Sequence, residues 1–149
     1  MDYQVNQRTE VPVSKWATAR LIIGIICIAI FPLFSFQSCA VRVGNLWNNG
    51  EDISGIAGIL TAFFLLISGI VMVATRKNTK KGPSITSCAF LWVGFFFSRV
   101  LSGDYTDLRI WGMLEFFFGA FFLITAKQSK KWFWIALVIS VIYFLLGIA

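Results

Sequence analysis

Histidine is absent from this chain, and only 13% of its 149 residues are charged. Without an imidazole there is no side chain whose ordinary titration lies near neutral pH, and the commonest metal ligand is missing. Cysteine is nearly as scarce. Its three copies, Cys27, Cys39 and Cys88, form no C-x-x-C pair of the kind that holds zinc or runs redox chemistry. No glycine-rich phosphate loop and no nucleophile motif occurs. Long polar stretches are missing too: the tail over residues 1–15 and the segment Gln37–Asp52 are both too short to bury a core of their own. These absences leave no material for an enzyme, a resident cofactor or a metal centre, and no room for a separate soluble domain.

What remains is lipid-soluble. Hydrophobic residues make up 58% of the chain, and its mean hydropathy is +0.78. Five apolar runs stand out, at about 16–36, 53–75, 84–101, 110–126 and 132–149. A helix needs about 20 apolar residues to cross ~30 Å of hydrocarbon, and backbone dissolved in lipid must satisfy its own hydrogen bonds. The expectation is an all-α integral membrane bundle of five transmembrane helices, forming one domain over residues 1–149. Pro32 should kink or end the first helix, because proline lacks a backbone donor. Gln37–Asp52 is then the largest loop, with Asn48-Asn49-Gly50 as its turn signal.

The net charge of +6 is explained by topology rather than by nucleic acid. With the N-terminus inside, ten cationic residues fall on the cytoplasmic side: Arg8, Lys15, Arg20, Arg76, Lys77, Lys80, Lys81, Lys127, Lys130 and Lys131. Arg42, Arg99 and Arg109 fall outside. That asymmetry places the N-terminus in and the C-terminus out.

Small residues mark one face of each run. They are Ala17, Gly24 and Cys27; Gly55, Gly58, Ala62 and Gly69; Gly94 and Ser98; Gly112 and Gly119; and Ala136, Ser140 and Gly147. Helices in lipid associate through close backbone approach, so these faces suit neighbouring helices.

Chemistry has one focus. Glu115 is the single acidic residue inside a run, on the face of Gly112 and Gly119. Ionisable groups in a span usually turn inward and find a partner, and Arg99 is the first candidate. Either the two form a structural pair, or Glu115 binds a proton or a cationic ligand amid Phe95, Phe96, Phe97, Phe116, Phe117, Phe118, Phe121 and Phe122. Cys39 follows the first run and offers a site for lipidation or for an intermolecular disulfide.

The text Phe36-Gln37-Ser38-Cys39-Ala40, Asn45, Asn49-Gly50-Glu51 and Ser54-Gly55-Ile56-Ala57-Gly58-Ile59-Leu60 resembles uncharacterised small multi-pass membrane proteins of Gram-positive bacteria. The resemblance, over residues 36–60, implies a bacterial cytoplasmic (plasma) membrane. It implies no activity and no functional residues. The leading functional expectation is a non-enzymatic protein that associates in the bilayer with another membrane protein or with itself, as an accessory subunit or an immunity- or exclusion-type factor. The alternative is a small oligomeric transporter or channel for a cation or hydrophobic cation, using Glu115.

Overall fold

The computed structural model describes residues 16–47, 53–103, 105–127 and 138. Four long helices account for nearly all of these: α1 (Ala17–Trp47), α2 (Ser54–Ala74), α3 (Gly82–Val100) and α4 (Thr106–Lys127). Each is long and apolar enough to cross a membrane. The expected fifth span, 132–149, lies outside the described residues apart from Val138.

The second and third runs fold almost as the sequence predicts. Pro83 sits in the first turn of α3, where a missing backbone donor costs nothing. The α2–α3 turn closes through Asn78, whose N–H donates to Thr75 O and whose Oδ1 accepts from Lys80 N. Between α3 and α4 the chain reverses within a few residues. Gly103 there has φ +48°, a left-handed conformation that a side chain would disfavour.

The first run departs from expectation. Pro32 neither ends nor shortens the helix, and α1 continues for 31 residues to Trp47, through most of the segment expected to be a loop. Its length is roughly 46 Å at 1.5 Å per residue, well over the hydrocarbon thickness. Packing supplies the reason. Beyond Pro32, Ser38 seats on Gly58 and the Arg42 backbone seats on Gly55, so α2 offers the extra turns a groove. That burial offsets the ~3 kcal/mol that an interior proline typically costs a helix.

Consecutive helices pack antiparallel, and α4 returns beside α1. The bundle therefore has two ends. The start of α1, the α2–α3 turn and the end of α4 share one, called here the Arg20 end. The end of α1, the start of α2 and the α3–α4 turn share the other, the Tyr105 end. The small residues line the interior as expected: Gly24 meets Gly69 O and Val73, Gly112 meets Ser98, and Gly119 meets Leu91 and Trp92. Cys27, Phe34, Leu65, Met72, Leu91, Leu108 and Phe122 fill the space between. Ile22, Ile25, Leu33, Phe36, Ile56, Ile70 and Phe96 are exposed around the outside, as a lipid-facing belt requires.

Polar side chains tie the helices where small ones bring them close. Ser68 donates to Ser87 O at 3.2 Å and Ser87 to Ser68 O at 3.4 Å, a reciprocal clasp between α2 and α3. In lipid such bonds act as glue, worth on the order of 1 kcal/mol each.

A candidate acidic site inside the bundle

Glu115 sits nine residues into α4, roughly 14 Å along its axis. It belongs to the buried stripe Leu108, Gly112, Glu115, Gly119 and Phe122, whose spacing of three and four residues marks one helix face. The side chain is 0% exposed. Its carboxyl group rests on Gly94 of α3, and any side chain at position 94 would collide with it. From α2, Thr61 approaches the same point of α3. Its hydroxyl donates to Ala57 O at 2.8 Å and lies 3.5 Å from Gly94 O, so its proton is spent on backbone.

Neither oxygen of Glu115 has a hydrogen-bond partner among the described residues. The expected pair with Arg99 is not formed. Arg99 lies five residues past Gly94 on α3, which carries it about 140° around the helix. It is half-exposed in the last turn. Arg109 donates instead to Ser102 Oγ at 3.2 Å. The phenylalanines expected to crowd the carboxylate are occupied with one another. Phe116 stacks on Trp92 at 5.6 Å and tilts against Phe95 at 5.0 Å, while Phe96 and Phe117 face outward.

Other interior polar atoms share this condition. Ser35 Oγ, Ser38 Oγ and Tyr105 Oη are buried without hydrogen-bond partners among the described residues. Ser38 and Tyr105 both border Gly58, so they lie side by side at one end of the bundle. Between them and Glu115, the seam of α1 and α4 is closed by side chains. Phe34 stacks on Trp111 at 4.7 Å and 15°. Trp111 Nε1 donates to Gln37 Oε1 at 3.0 Å, and Gln37 Nε2 donates to Asp107 Oδ2 at 2.6 Å.

The opposite end is locked by a residue read in the sequence only as a topology signal. Arg20 is 3% exposed and donates from all three guanidinium nitrogens: Nε to Thr125 Oγ1, one terminal nitrogen to Thr125 O and the other to Asn78 O. It joins α1, the α2–α3 turn and the end of α4, where a cation also suits the helix dipole. The signal was present in the sequence: Arg20 is the one cation lying well inside the first apolar run.

Cys39 is an exposed free thiol on α1, whereas Cys27 and Cys88 are buried. No protein-family model, curated protein or solved structure matches the chain.

Proposed function

We propose that this is a multi-pass protein of a bacterial cytoplasmic membrane, with five spans, the N-terminus inside and the C-terminus outside. In this reading it is a small transporter or channel for protons or small cations, with Glu115 as its coupling group. One observation carries the proposal: a fully buried carboxyl group with no partner for either oxygen among the described residues. An ionised side chain at the centre of a span costs about 2.5–3.5 kcal/mol on insertion scales, and the cost falls when a positive charge joins it. No protein cation does so among the described residues. A proton or a small bound cation supplies that balance in this reading. A bulky hydrophobic cation fits less well, because Gly94 closes directly on the carboxyl.

The association reading gains no support from the small-residue faces of the described helices. Those small-residue faces lying on described helices are taken up within the bundle, glycine against glycine or serine, rather than held out toward a partner.

Reconstituted liposomes under an imposed membrane potential test the proposal, with proton and sodium entry followed by internal dyes. Wild-type protein should admit one of these ions, Glu115→Gln should lose that flux, and Arg99→Gln should keep it. Equal flux through wild type and Glu115→Gln would remove Glu115 from transport. A specific partner recovered in mild detergent would then favour association.

A further inference from the structure

We propose that in the described conformation Glu115 faces one side only: its proton or monovalent cation reaches it from the Tyr105 end, past Tyr105, Ser38 and Ser35, while passage to the Arg20 end requires the apolar half to rearrange. The inference rests on the acidic-site reading above and adds a direction to it.

The distribution of polar atoms along the bundle supplies the argument. Contacts of α1 with α4 fix their register, because Phe34 meets Trp111 and Arg20 meets Thr125. Both pairs place Glu115 level with residue 30 of α1. Ser35 and Ser38 then lie one to two turns toward the Tyr105 end, with Tyr105 beside Ser38. These three hydroxyl groups are the other buried side-chain atoms without partners among the described residues, and all fall on this side of Glu115. A buried hydroxyl with no partner costs free energy, and even where Tyr105 and Ser38 turn to each other their remaining lone pairs can take up water or a passing cation.

The other half is different in kind. Between Glu115 and the Arg20 end the interior holds Cys27, Leu65, Met72, Cys88, Leu91 and Phe122, all buried. Its polar groups are already bonded: Ser68 with Ser87, and Arg20 with Thr125 and Asn78 O. An ion crossing that half would meet apolar side chains and then a buried guanidinium of its own sign. On the Tyr105 side the obstacle is the Phe34–Trp111 stack. That stack is held by a single amide, Gln37, whose other end reaches the exposed Asp107. Rotation of Trp111 breaks one hydrogen bond and opens the α1–α4 seam over the carboxyl.

Thiol accessibility in sealed vesicles of both orientations tests the direction. The background is the full chain with Cys39→Ser, keeping native Cys27 and Cys88 as reporters of the apolar half. Ser38→Cys and Ser35→Cys are added singly, and Lys77→Cys marks the Arg20 end. The probes are membrane-impermeant methanethiosulfonates, one cationic and one anionic. Ser38→Cys and Ser35→Cys should react only from the side opposite Lys77→Cys, while Cys27 and Cys88 stay unmodified from both. The cationic probe should react about tenfold faster than the anionic one, a preference that shrinks when Glu115→Gln is added. Inert cysteines at 35 and 38, or modification of Cys27 from the Lys77 side with no ion gradient or membrane potential imposed, would overturn the proposal. Dicyclohexylcarbodiimide, which enters lipid and couples to protonated carboxyl groups, separates the two failures. If it modifies Glu115 while positions 35 and 38 stay inert, the site stands and its direction is wrong. If it leaves Glu115 untouched, the acidic site itself fails.

Discussion

Arg20 and Glu115 are both ionisable and both buried, yet the bundle treats them in opposite ways. Every nitrogen of Arg20 has an acceptor, whereas neither oxygen of Glu115 has a donor among the described residues. Removing Arg20 leaves Thr125 O buried, and Asn78 O part-buried, without their donor, and a buried orphan costs about 1–3 kcal/mol. Arg20→Ala should therefore destabilise the protein by roughly 2–4 kcal/mol, read as earlier loss of helix signal in detergent. Arg20→Lys should recover only part of this, since one ammonium cannot reach three acceptors in a planar fork. Glu115→Gln should leave the melting curve unchanged or raised, because it removes an unbalanced group while keeping its shape. The sequence revealed Glu115 as an inward-facing acid through its spacing from Gly112 and Gly119. It did not reveal the missing partner. Arg99 is near along the hairpin, but its spacing from Gly94 and Ser98 turns it off the face that α3 packs on α4, a signal that was legible in the sequence.

At the scale of elements, three of the four described helices were legible from hydropathy alone to within four residues at either end. The first was not, and the error is instructive. Pro32 and the polar stretch after it are local signals for a break, whereas the continuation depends on Gly55 and Gly58 of another helix. Local chemistry carries no record of a groove offered from afar. The glycine stripes of the four described helices, by contrast, were read correctly because small residues in lipid have few other uses. They yield a paired prediction. At Gly69 a methyl group would meet Gly24 O at 2.8 Å and Cys27 Cβ at 3.0 Å, so Gly69→Ala should push α1 from α2 and lower stability. At Gly44 nothing lies within 4 Å, and Gly44→Ala should be neutral or gain up to about 1 kcal/mol from helix propensity. Thermal unfolding of the two variants beside wild type measures both effects.

At the scale of the whole molecule, the account requires that bilayer surround the helices and that the interior be closed to it. Small faces turn inward, large aliphatic side chains turn outward, and the cationic α2–α3 turn lies at the Arg20 end. That arrangement is the one expected of helices in lipid, where apolar exposure is cheap and backbone approach supplies the cohesion. Carbene footprinting in native membranes, with a lipid-partitioning diazirine mapped by mass spectrometry, tests this most directly. The account predicts labels on Ile22, Ile25, Leu33, Phe36, Ile56, Ile70 and Phe96, and protection of Cys27, Leu65, Leu91 and Glu115. Equal labelling of both sets, or labelling of neither while water-soluble reagents reach the outer set, would contradict it.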